Sequence, residues 1–114
     1  MPGVPESELR YQVLVEHAPD AIVVLDLGIG RFVTCNPAAE RLFRMTRAEL
    51  LRVGPVEVSP PVQPDGRPSA QAAHEYIAQA LAGGQPRFEW THRRADGTDV
   101  PCEINLLRLP AADR

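Results

Sequence analysis

Lysine is missing from this chain: all twelve of its basic residues are arginine. That uniformity reads as the codon bias of a GC-rich bacterial genome and not as a site. The arginines are scattered and the net charge is −3. No basic run can neutralise a phosphate backbone, which argues against nucleic acid as a partner. Cysteine is scarce too. Cys35 and Cys102 are far apart, with neither CxxC spacing nor a neighbouring His pair, so no metal site is expected and both read as small apolar residues. No apolar run approaches the ~20 residues that span a bilayer. The N-terminus also lacks the basic region and apolar core of a secretory signal. The expectation is a cytoplasmic chain without direct membrane contact, and 114 residues suit one domain with a modest core.

Catalytic groupings are lacking as well. Asp20, Asp26, Glu40, Glu49, Glu57, Glu89 and Glu103 are dispersed, and His17, His74 and His92 fall in separate segments. No nucleophile elbow or reactive-cysteine context accompanies them, so the chain reads as a non-enzyme. The glycine pairs Gly28/Gly30 and Gly83/Gly84 lack the spacing of a phosphate-binding loop.

What is present is an ordered series of short elements. Residues 6–17 read as a helix with Leu9, Val13 and Leu14 at helical spacing. Residues 21–27 are a leucine-rich and β-branched run of strand length, and residues 31–34 resume strand character. Gly28 and Gly30 bracket the turn between them, where positive φ is expected. Asn36-Pro37 is a helix start: the Asn side chain caps orphan N–H groups and Pro at the first helical position loses no hydrogen bond. A short helix over 47–52 is capped by Thr46, with Glu49 completing a capping box. Residues 59–68 are a Pro-rich loop with an Asp65-Gly66 turn. Ser69 is read as the cap of a helix to Leu81, with Ala70, His74, Ile77 and Leu81 on its apolar face and Gly83-Gly84 closing it. Strands over 87–93 and 99–109 are joined through Asp96-Gly97. Two hairpins and four helices make an α+β fold with a largely antiparallel sheet and helices on one face.

Three patches carry a family resemblance. Asp20-Ala-Ile-Val-Val-Leu-Asp26 resembles the first strand of a PAS domain, and Asn36-Pro-Ala-Ala-Glu-Arg-Leu-Phe43 its first core helix. The stretch from Phe88 to Ile104 is similar to its closing hairpin. With the element order, the resemblance divides the chain into a tail and cap helix at 1–18, a PAS domain at 19–109 and the start of a connection at 110–114. PAS domains usually have five strands. The fifth is missing here, since the sequence stops where it would begin; a cut fragment is the favoured explanation, ahead of a strand donated by a partner or a rearranged sheet.

The resemblance implies a signal-sensing, dimerising module of a larger bacterial regulator, most readily a sensor histidine kinase. It would bind a small organic ligand between sheet and helices and pass the signal to an output domain of the same polypeptide. Strand alternation puts Phe88, Trp90 and His92 on one face, and Val100, Cys102, Ile104 and Leu106 on one face of the next strand. With Val24, Phe43, His74, Ile77 and Leu81 these enclose a mostly apolar space, and the same side chains read equally as core. Trp90, the only tryptophan, offers its N–H to a ligand or to the protein's own backbone. Leu9, Val13 and Leu14 are the expected homodimer contact.

Flavin-binding members hold their cofactor through an Asn-Cys-Arg-Phe-Leu-Gln type motif on a later helix, which is not found here. Haem-binding members place a His three residues before a Tyr-Ile pair. Here His74 stands two before Tyr76, and Ala73 occupies the ligand position. One residue turns a side chain by about 100° around a helix, so neither haem nor flavin is expected. The alternatives are a ligand-free PAS scaffold for protein–protein association, or the input domain of a transcription regulator or cyclic-dinucleotide enzyme.

Overall fold

The computed structural model describes residues 6–109. The 1–5 tail and the 110–114 connection lie outside the described residues. The elements are α1 (Glu6–His17), β1 (Val23–Asp26), β2 (Arg31–Cys35), α2 (Pro37–Phe43), α3 (Arg47–Leu50), α4 (Ser69–Leu81), β3 (Arg87–Arg93) and β4 (Asp99–Asn105). This is the α+β order read from the sequence. The strands pair as two antiparallel hairpins, β1 with β2 and β3 with β4. The chain divides into two compact units, with the boundary in sequence between Gly54 and Pro55. Among the described residues no helix is long and apolar enough to cross a membrane.

The first unit is organised by a buried asparagine. Asn36 is the N-cap of α2, with Pro37 at the first helical position as expected. Its Oδ1 accepts from the N–H of Ala39 at 3.0 Å and of Ile22 at 2.9 Å. Its Nδ2 donates to the carbonyls of Val15 and Asp20, both at 2.9 Å. A carboxamide has two donors and two acceptor lone pairs, and all four are used. One side chain thus joins the end of α1, the approach to β1 and the start of α2. β1 begins at Val23 and not at Ala21: the Ile22 carbonyl accepts from the Asn36 backbone N–H at 3.1 Å, but the Ile22 N–H goes to the Asn36 side chain and so does not continue the ladder.

The β1–β2 register shifts between Val24 and Leu25, a bulge that leaves one β2 residue without an opposite partner. In the turn only Gly30 takes positive φ, at 70°. Gly28 does not need it, because its N–H is caught by Asp26 Oδ1 at 2.8 Å, an Asx turn. α2 ends on Arg44 in the left-handed region, at φ 55°. The capping box of α3 is present as expected, with Glu49 N–H on Thr46 Oγ1 and Thr46 N–H on Glu49 Oε1. That helix stops at Leu50, short of the expected Arg52.

In the second unit β3 keeps the expected bounds and Gly97 makes the turn at φ 89°. β4 ends at Asn105 instead of Leu109. Its partner runs out there: Arg87 opens β3, and Leu106 N–H bonds the carbonyl of Pro86. Ser69 is not the cap of α4. Pro68 stands at the N-cap with no side-chain bond, while the Ser69 hydroxyl is buried, donating to Pro60 O and accepting from Gln63 Nε2. The buried face of α4 is Ser69, Ala72, Ala73 and Ala80, with Tyr76 half-buried. The expected face of Ala70, His74, Ile77 and Leu81 is turned aside: Ile77 is half-buried, and the other three are exposed. Large side chains suggested that stripe, but alanines face the strands because large residues on β3 already fill the space.

Replacing Asn36 by Ala removes a cap and leaves four backbone groups without their partner. We expect a loss of about 2–4 kcal/mol in urea unfolding. Asn36→Asp keeps both acceptor bonds and loses both donor bonds. It should also cost well over 1 kcal/mol if the carbonyls of Val15 and Asp20 matter as much as the cap; a neutral Asp variant would reduce Asn36 to capping alone.

Candidate functional site

Of the residues expected around a ligand, Val24 and Phe43 belong to the first unit. Val24 is half-buried in β1, and Phe43 is 3 % exposed at the end of α2. The others belong to the second unit. Their strand alternation is as expected: Trp90 and His92 are buried, Phe88, Cys102, Ile104 and Leu106 are half-buried, and Glu89, Glu103 and Asn105 on the opposite face are exposed. The register sets Trp90 opposite Cys102, Phe88 opposite Ile104 and His92 opposite Val100. His74 and Leu81 do not join them, both being exposed on α4.

Against this apolar face lie Ala72 and Ala73 of α4, with Tyr76 between helix and strands. The Tyr76 ring stacks on Phe88 with centroids 3.6 Å apart and 2° between planes. Both rings meet Trp90 edge-on, at 6.5 and 5.9 Å. Edge contacts set a positive ring rim against a negative face and add to the area buried. Tyr76 was missed as a site residue; its place three residues after Ala73 and four after Ala72 on one helix face was the available signal.

The polar atoms of this face are occupied from within the unit. Trp90 Nε1 donates to Ser59 Oγ at 2.9 Å, and Ser59 Oγ donates to the carbonyl of Pro55 at 2.6 Å. His92 Nδ1 lies 3.1 Å from the carbonyl of Val58. That oxygen only accepts, so Nδ1 carries the proton. Burial pushes the His92 pKa below its ordinary 6.5, against the opposing pull of the Val58 bond. Burial likewise raises the thiols of Cys35 and Cys102, which disfavours reactive thiolates. Among the described residues no group of three or more His, Cys, Asp or Glu is arranged to hold a metal ion.

A groove of about 530 Å³ lies on the other side of the hairpin. The 63–67 loop forms one wall, and Glu89, Thr91, Pro101 and Glu103 contribute to the other. Arg67 is fixed there by Asp65 at 2.9 Å, Glu75 at 2.8 Å and the Tyr76 hydroxyl at 3.2 Å. The sequence reads this segment as a Pro-rich loop with a turn at Asp65-Gly66 and does not reveal the groove.

A histidine buried in its neutral form lowers stability as it becomes protonated in the unfolded chain. The loss begins near the ordinary pKa of 6.5 and continues until the pH reaches the lower folded value. Thermal stability should therefore fall between pH 7 and 5, and His92→Gln should flatten that slope. Parallel profiles for the two proteins would show that His92 does not carry it.

The family model described as PAS fold matches residues 15–114. No curated protein matches the chain. A domain of a sensory box sensor histidine kinase/response regulator from Geobacter sulfurreducens is similar at 27 % identity and TM-score 0.76, over 91 % of this chain and 85 % of that one. The PAS domain of an HTR-like protein from Haloarcula marismortui aligns at 24 % identity and TM-score 0.71, over 93 % and 82 %. The PAS domain of a LuxR-family transcriptional regulator from Burkholderia thailandensis, solved in complex with ethanol, aligns at 19 % identity and TM-score 0.61, over 83 % and 79 %. A family match over residues 15–114, with two hairpins and the intervening helices in the same order, means that this chain belongs to the PAS-fold family.

Proposed function

We propose that the chain is the signal-sensing, dimerising module of a larger cytoplasmic bacterial regulator, with a sensor histidine kinase as the leading parent. It has no catalysis of its own. It binds a small, uncharged, mostly apolar organic molecule, and occupancy is passed to an output domain of the same polypeptide. The observation that carries the ligand class is the occupied polar edge of the β3–β4 face. The Trp90 N–H is held by Ser59 and the His92 N–H by Val58. A ligand against Phe88, Cys102, Ile104 and Leu106 meets apolar surface without an offered charge. The ethanol complex of the Burkholderia thailandensis PAS domain is in keeping with a small, weakly polar ligand. His74 is exposed on α4 and Ala73 takes the place of the haem ligand, which supports a ligand other than haem; flavin is set aside for want of its motif.

A ligand shifts a sensor only through its different affinity for two arrangements. Binding therefore has to appear as stabilisation of one of them. Short-chain alcohols, ketones and the matching carboxylates, titrated in thermal-shift and native mass-spectrometry experiments, should separate cleanly. Neutral members should stabilise by about 2.7 kcal/mol at a hundredfold excess over Kd, and carboxylates should do nothing. Uniform inertness would favour the second reading, a ligand-free PAS scaffold for protein–protein association. The Tyr76–Phe88 stack that fills the space between α4 and the hairpin supports that alternative.

For the dimer we propose α1 as the contact. Leu9, Val13 and Leu14 are 47, 57 and 66 % exposed, a concentration of apolar surface that a monomer has no use for. Val13→Glu with Leu14→Glu should convert a dimer to a monomer in light scattering while leaving the aromatic cluster intact by near-UV circular dichroism. An unchanged mass would move the interface elsewhere.

A further inference from the structure

The outer edge of β3 is closed by a side chain. Gln63, 5 % exposed, accepts at Oε1 from the N–H of Thr91 at 2.9 Å and donates from Nε2 to the carbonyl of Thr91 at 3.1 Å. In an antiparallel ladder, a hydrogen-bonded residue pair exchanges those same two bonds. The carboxamide of Gln63 thus occupies the place of a backbone amide from a neighbouring strand. Two residues on, Arg93 N–H bonds the carbonyl of Val58 at 2.7 Å. Of the β3 residues that bond away from β4, the two at the C-terminal half of the strand, Thr91 and Arg93, are met by the 58–68 segment.

That segment is itself held firmly. Val62 and Pro68 form an isolated bridge. Gln63 N–H bonds Arg67 O, Gly66 N–H bonds Gln63 O, and Gly66 takes φ 92° to close the turn. The second Nε2 proton of Gln63 goes to Ser69 Oγ at 2.8 Å, and that hydroxyl donates to Pro60 O. Every hydrogen-bonding group that fixes the carboxamide is therefore anchored in turn.

We propose that Gln63 seals the edge of β3 against strand addition by a second copy of this chain. The occupant follows from the symmetry of the exposed groups. Thr91 presents both its N–H and its C=O outward, so β3 of another copy, running antiparallel and centred on its own Thr91, would make the two bonds that Gln63 now makes. Such a pairing is isologous and needs no other surface. Open strand edges are a recurring route to unwanted association, and a buried amide is one way to close them.

Two measurements test this, and the first needs no variant. In the wild-type chain, NMR amide exchange should find Thr91 and Arg93 as protected as Phe88, Trp90 and His92 of the inner ladder; free-edge exchange at Thr91 would overturn the proposal. In the second, Gln63→Glu keeps the shape and the acceptor but removes the donor, and Gln63→Leu removes both. Thr91 exchange should accelerate at least about tenfold in the Leu variant, and both variants should self-associate with rising concentration in sedimentation velocity. The Glu variant should revert toward the wild-type distribution when acid restores its proton, with the wild-type chain run alongside. Variants that fold with Thr91 exposed yet keep the wild-type oligomer distribution would refute the sealing role.

Discussion

A buried primary amide must satisfy its two donor protons and its acceptor oxygen or lose more than its burial gains. In each unit of this chain one such amide settles the fold around it. Asn36 binds backbone groups from Val15, Asp20, Ile22 and Ala39, which come from a helix end, a linker, a strand approach and a helix start. Gln63 binds both backbone groups of Thr91 and the hydroxyl of Ser69, drawing together a loop, a strand edge and the first turn of α4. Hydrophobic burial is indifferent to direction, so it does not decide between nearby arrangements of short elements. A planar group with fixed donor and acceptor directions does, because a rotation or slip of one residue leaves a donor buried without a partner.

The second unit combines this directional constraint with an uneven division of volume. α4 contributes Ala72 and Ala73, and the strands contribute Phe88, Trp90 and Ile104. Small residues on the helix let its backbone approach, and Tyr76 then fits flat against Phe88. The same arrangement settles the chemistry of the face. Because Ser59 and Val58 take the polar hydrogens of Trp90 and His92, what remains toward any guest is carbon and sulfur. Selectivity on such a surface depends on shape and size, and discrimination per methylene is modest.

How much of this was legible in the sequence follows from the reach of each interaction. The Thr46–Glu49 box, the Asn36-Pro37 helix start and the Asp96-Gly97 turn are set within four residues, and all three stand where the sequence puts them. The bounds of β3 and the inward alternation of both closing strands were equally readable, since period two survives without knowledge of the partner. Ser69 was misread because its hydroxyl serves Pro60 and Gln63 instead of its own helix. His74 and Leu81 read as inward because they share a helical stripe with Ile77, whereas the strands supply the bulk and the helix faces them with alanines. Gln63 left no local trace at all: its partner Thr91 is 28 residues away, and a polar residue in a Pro-rich loop has the pattern of a solvated spacer.

The two edges of the closing hairpin show how the same problem is solved twice. Thr91 and Arg93 bond away from β4, so their partners Pro101 and Asp99 in the register must point away from β3. Pro101 therefore occupies a rung where no N–H is needed by the hairpin, the kind of edge position in which proline is tolerated. On the side away from β3 it withholds a donor that an added strand would use. Glu89 and Glu103 face each other across the next rung, a like-charge pair that costs stability within the sheet. It also makes the outer face unattractive to a flat, uncharged neighbour. One edge is closed at Thr91 by an amide that imitates a strand, and the other is marked by a missing donor at Pro101 and by the charge of Glu103. A strand added beyond β4 has to tolerate the gap at Pro101 to pair without loss, whereas one centred on Thr91 of β3 meets bonds that Gln63 already makes.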